Sequence, residues 1–108
     1  MNKYTELSDL EINKRVFVAA KIEHEDTDLH SNKVFYGDGA RWIEFNPCNN
    51  PTDAMPIIIE NKIGLSPMYH SNKWTADCLD YDFISVNKNP LRAAMELFLL
   101  MKDAENEG

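Results

Sequence analysis

The stretch Asn89-Pro90-Leu91-Arg92-Ala93-Ala94-Met95-Glu96-Leu97-Phe98-Leu99-Leu100-Met101 governs how the rest of the chain must be arranged. An Asn side chain can accept from the unpaired N–H groups of a first helical turn, and Pro at the next position gives up an N–H that had no intrahelical partner. A helix therefore starts with Asn89 as N-cap and Pro90 at its first position, and its apolar run extends to Met101. Leu91, Ala94, Leu97, Phe98 and Met101 form the inward side. Arg92, Glu96 and Asp103 mark the outward side, with Arg92 and Glu96 as an i,i+4 ion pair of small value. Leu99 nevertheless falls within that polar face and Leu100 lies beside it. A helix apolar nearly all round is buried on two sides. A symmetric second copy would cover the second side, and a homo-oligomer is expected on that ground; a long side chain from elsewhere in the monomer would do the same.

Working outward, Leu65–Met68 and Trp74–Leu79 read as two short strands joined through Tyr69-His70-Ser71-Asn72-Lys73. Tyr81–Val86 is either a further strand or an ordered loop. In Thr52–Lys62, three consecutive isoleucines favour a strand by propensity. A helix with Asp53 as N-cap instead puts Pro56 in the first turn, Ala54, Ile57, Ile58 and Asn61 on one face, and Gly64 at the end, and helix is the reading adopted. Asn50-Pro51 echoes Asn89-Pro90, which is good helix-start chemistry more readily than the trace of a duplicated β-β-α unit. Asn46–Pro51 is a loop. Lys33–Tyr36 and Ala40–Phe45 flank Gly37-Asp38-Gly39 as a hairpin, with Trp42 and Glu44 on one face of the second strand and Arg41, Ile43 and Phe45 on the other. Glu23–Asn32 is a polar loop. Ser8-Asp9-Leu10-Glu11 is a capping box opening a helix over about residues 8–20, with Leu7 and Ile12 in the positions of a hydrophobic staple. The fold class is α+β, helices packed on a mainly antiparallel sheet in the order α-β-β-α-β-β-α.

The 108 residues suit one domain, residues 1–102, followed by an acidic tail, 103–108. No apolar run reaches the roughly 18–20 residues of a membrane span, and the N-terminus lacks the apolar stretch of a signal peptide. Cys48 and Cys78 form no disulfide framework, which points to a reducing, cytosolic setting. With 11 basic and 18 acidic residues the net charge is −7. The arginines are Arg15, Arg41 and Arg92, and the lysines are scattered singly, so no basic stripe meets DNA or RNA directly. Acid clusters at Glu23, Glu25, Asp26 and Asp28 and again at Asp103, Glu105 and Glu107. Such clusters are ordinarily solvated surface; the sharper alternative is a patch that meets a basic partner or imitates phosphates.

His24, His30, His70, Cys48 and Cys78 lack metal-ligand spacing, and neither a metal nor a cofactor is expected. Cys48 and His70 have the chemistry of a nucleophile and base, but nothing in the sequence joins them, and no catalytic residue is assigned. The most informative set concerns binding. Helix N-termini near Asp53 and Asn89 offer N–H groups to an anion. Arg92 sits in a first turn, where the helix dipole disfavours a cation unless an anion is near. Arg41 neighbours Trp42, while Tyr69 and Trp74 cluster across a turn. Rings stack bases and a guanidinium clasps phosphate, so Arg41, Trp42, Tyr69, Trp74 and Arg92 are the candidate ligand residues for a small anionic, nucleotide-type guest. The plainer alternative makes the indoles core residues and Arg92 a partner of Glu96.

Leu7–Val16, Cys48–Asn61, Trp74-Thr75-Ala76 and Asn89–Met95 together resemble the NinX-like family of lambdoid phage and prophage proteins. More distantly the chain is similar to phage proteins described as α/β/α sandwich domains, which share a Trp strand and an Ala-rich last helix. The resemblance implies a phage origin, a helix-and-sheet sandwich, an accessory role and residence in the host bacterial cytoplasm; it brings no activity and no catalytic residues. Residues 21–45 match weakly. The expected function is a non-enzymatic accessory protein that antagonises host defence by sequestering a nucleotide-type immune signal. The rival is an acidic inhibitor or DNA mimic acting on a basic host defence protein, and a small hydrolase is third.

Overall fold

The computed structural model describes residues 2–22, 24, 26–28, 32–37 and 41–107. Its elements are α1 (Asp9–Ala19), β1 (Asp26–Asp28), β2 (Phe35–Gly37), β3 (Trp42–Glu44), α2 (Pro51–Glu60), β4 (Gly64–Pro67), β5 (Trp74–Asp77), β6 (Ile84–Asn87) and α3 (Pro90–Glu107). The strands form two antiparallel meanders, β1-β2-β3 and β4-β5-β6. Each meander leads through an Asn-Pro step into a helix.

The α+β class and the antiparallel pairing are as the sequence indicates, and each predicted strand pair gains a third member. β6 resolves the segment left open as strand or loop. β1 lies inside the stretch read as polar loop, because Asp-Thr-Asp carries little strand propensity. It pairs with β2 in the register Asp26↔Gly37, Thr27↔Tyr36, Asp28↔Phe35 and so satisfies backbone groups that β2 would otherwise leave open. The tip at Asp38-Gly39-Ala40 lies outside the described residues, as do Glu23, Glu25 and His30.

Local chemistry fixes the helix starts. Ser8 Oγ accepts from Glu11 N at 3.1 Å, as a capping box requires. α2 begins earlier than expected: Asn50, not Asp53, is the N-cap, its side chain accepting from Thr52 N at 3.0 Å. Asp53 sits in the first turn and accepts from Asn46 N at 2.9 Å, bracing the preceding loop. Pro56 consequently falls inside the helix. α3 continues beyond its apolar run, through Asp103 and Glu105 to Glu107.

α3 is the centre of the molecule. The β4-β5-β6 sheet packs along one side of it, and α1 and α2 along another. Leu65, Ala76 and Ser85 stand opposite one another across the sheet, and Ala76 and Ser85 are buried with Ala93, Ala94, Met95, Leu97, Phe98 and Leu99 of the helix. The second apolar side of α3 is therefore covered within one chain, by whole helices. The expectation that Arg92 and Glu96 face outward is overturned: they are only 6% and 0% exposed, because residues 2–8 are tied down over that face by hydrogen bonds. The first meander is held to α1 by aromatic contacts, Phe17 lying 5.6 Å from Tyr36 and 5.5 Å from Phe45 between ring centroids.

Candidate functional site

Arg92, one of the five candidates, has every guanidinium nitrogen bonded within the chain. Its Nε donates to Glu96 Oε2 at 2.7 Å and its Nη1 to Asp9 Oδ1 at 2.6 Å. Nη2 donates to the carbonyls of Tyr4 at 3.0 Å and Leu7 at 2.6 Å. Glu96 is completed by Asn2 Nδ2, which donates to its Oε1 at 2.8 Å. Burial works against the charge on Arg92, but the hydrogen bonds it donates to Asp9 and Glu96 outweigh it and keep the guanidinium protonated beyond its ordinary range. The helix dipole argument thus holds in substance, since the cation in the first turn does need anions. They are the chain's own carboxylates.

The two helix N-termini are likewise occupied from within. Asn89 Oδ1 accepts from Leu91 N at 2.9 Å and Arg92 N at 3.4 Å, and its Nδ2 donates to the Cys48 carbonyl at 2.5 Å. Asn50 caps α2. Trp74 is half-buried in β5 on the side that carries buried Ala76. Tyr69, 89% exposed, lies in the β4–β5 turn with its ring edge-on to His70 at 4.5 Å. Arg41 is exposed just ahead of β3, and Trp42, 55% exposed, begins that strand. The five candidates therefore belong to three places: Arg41 and Trp42 on the first meander, Tyr69 and Trp74 on the second, and Arg92 beneath the N-terminal segment.

What the first meander does bring together is a different set. Strand alternation sends Tyr36 and Ile43 toward α1, with Phe45 continuing the same side, and leaves Phe35, Gly37, Trp42 and Glu44 on the outer face. Register then lays out two rows across the three strands: Asp26, Gly37, Trp42, and beside it Asp28, Phe35, Glu44. Opposed residues on one sheet face stand about 4.5–5.5 Å apart at Cβ, so Phe35 sits between two carboxylates. Asp28, Phe35 and Trp42 line a hollow of about 250 Å³. Among the described residues, neither Asp26 nor Glu44 has an ion-pair partner. Sequence reasoning found the acid at Asp26 and Asp28 and put Trp42 and Glu44 on one strand face, but it missed Phe35 and did not bring the two groups together. The alternation Asp26-Thr27-Asp28 was the available signal.

A larger concavity, about 430 Å³, opens where the C-terminal ends of the helices meet, bounded by Ala19, Lys21, Ile57, Asn61, Phe98 and Lys102. None of the five candidates lines it. Cys48 is fully buried, and burial first, then the nearby Asp9 charge, pushes its thiol up to about 12, so a thiolate nucleophile is not on offer there. Among the described residues no cluster of three metal-ligating side chains occurs. No helix among them is long and apolar enough to cross a membrane.

The molecule is thus an α+β domain whose first meander presents an acidic, aromatic outer face. A family model described as Bacteriophage P22, NinX matches residues 3–102. The chain belongs to that family and is a phage protein. No curated protein and no solved structure matches it.

Proposed function

We propose that this chain is a non-enzymatic phage accessory protein, made and acting in the host cell, that works by binding a basic host protein through the outer face of its first meander. The supporting observation is the grid of Asp26, Asp28 and Glu44 around Phe35 and Trp42, together with the net charge of −7. Complementary charge steers association and excludes wrong partners, while an exposed indole supplies contact area at small entropy cost. The partner class proposed is a host defence protein. The test is capture from host lysate at low and high salt, with the chain and with its Asp26→Asn, Asp28→Asn, Glu44→Gln variant. The expected result is a partner retained at low salt, released at high salt and lost with the variant. Equal recovery by both chains removes the proposal.

Sequestration of a nucleotide-type signal is the second reading, favoured by exposed Trp42 next to Arg41. It has lost Arg92, whose donors are bonded to Asp9, Glu96 and two backbone carbonyls, and the carboxylates around Trp42 repel an anionic guest. Calorimetry against cyclic and ADP-ribose-type nucleotides decides it; heat that saturates and disappears with Trp42→Leu would reinstate it.

A further inference from the structure

Resting on the proposed contact face, we infer that the hollow between Phe35 and Trp42 receives a single arginine side chain of the partner protein. Its volume, about 250 Å³, is below the roughly 300–1,000 Å³ of sites that enclose small-molecule ligands, which suits one side chain better than a free metabolite. Among the described residues, two aromatic residues, Phe35 and Trp42, and the acidic Asp28 line it. Gly37 stands between Asp26 and Trp42 in the adjoining row, so no side chain separates the indole from that acid across the middle strand.

Charge complementarity identifies the occupant. An aromatic face attracts a cation through its quadrupole, indole most strongly, and a carboxylate at the rim excludes an anion. Between the two cationic side chains, the planar guanidinium stacks on a ring while its edge donates two parallel hydrogen bonds to a carboxylate. An ammonium is a hydrated point charge that does neither well. Trp42 is more than half exposed and anchors no core, so its place in the lining of the hollow is free to serve contact.

The experiment titrates the full chain with capped deca-arginine and deca-lysine peptides, following affinity by calorimetry and the two indole N–H signals by NMR. Deca-arginine is expected to bind about fivefold more tightly than deca-lysine, the size of a cation–π contact at an exposed ring. The Trp42 indole signal moves with it and the Trp74 signal stays in place. Trp42→Leu, at an exposed position, is expected to erase the preference and leave both peptides bound equally through the remaining carboxylates. If the peptides bind the unaltered chain equally, or if the preference survives Trp42→Leu, the arginine hollow is wrong while the acidic contact face stands. If neither peptide binds, the contact face falls as well.

Discussion

Replacing Arg92 by Met removes a guanidinium that four acceptors use at once. Glu96, 0% exposed, is left with Asn2 as its remaining partner, and the carbonyls of Tyr4 and Leu7 lose their donor. Breaking a buried ion pair from one side costs about 3–5 kcal/mol, because the surviving charge stays buried without compensation. Against a total stability of about 5–15 kcal/mol that is a large fraction. With a urea dependence of about 1–3 kcal/mol per molar, the unfolding midpoint should fall by about 2 M. The double variant Arg92→Met, Glu96→Leu removes both charges, and well-packed apolar replacements of a buried pair are often neutral or stabilising. It should recover most of the loss, and a double-mutant cycle isolates the coupling. Urea titration followed by far-UV circular dichroism reads all three chains. A midpoint shift below about 0.5 M for Arg92→Met refutes the buried network, since an arginine waiting for a ligand contributes little to folding.

Other consequences concern the termini and the thiols. Tyr4 donates its hydroxyl to Asp103 Oδ2 at 2.5 Å, and Lys3 lies 3.0 Å from the same oxygen. For Asp103, burial is outweighed by these two partners and the carboxyl is held below its usual range, so its contribution is present above that range and is lost as pH falls through the lowered value. For Tyr4, burial and then the Asp103 contact raise the phenol above 10.0, so its contribution is present below that value and is lost as pH climbs through the raised one. Tyr4→Phe should flatten the alkaline limb of stability against pH and weaken the acid limb; an unchanged profile counts against the contact. Cys48 should resist a thiol reagent in the folded protein at mildly alkaline pH and react only on unfolding, with Cys78→Ser used to silence the half-buried second thiol. Immediate labelling of Cys48 in that chain would contradict its burial.

The family resemblance and the α+β class follow from signals that are local or ordered along the chain. Two Asn-Pro steps, a Ser8-Glu11 capping box and the aromatic hairpin around Gly37 act over three or four residues, so they can be read without knowing what packs where. The three-residue error at the start of α2 has the same origin: Asn50 and Asp53 are both good caps, and the side-chain contact that separates them comes from the loop before the helix, where Asn46 takes up the Asp53 carboxylate. Within the candidate site, Trp42 and its face were legible from alternation alone. Phe35 and Asp28 were not assembled around it, because β1 is three polar residues whose pairing is decided by the needs of β2.

The amino-acid order by itself therefore determined where helices begin, which residues alternate along the strands, the acidic balance and the kinship with phage proteins, since each depends on neighbours in the chain. Only the tertiary structure decided which sides of α3 are covered and by what. A helical wheel treats Arg92 and Glu96 as solvent-facing, yet Asn2, Tyr4, Leu7 and Asp9 come from more than 80 residues away to bond them. Burial of a charged pair depends on partners that converge in space and leave no periodic mark in sequence, and that convergence turned a supposed ligand arginine into the fastening of the N-terminal segment.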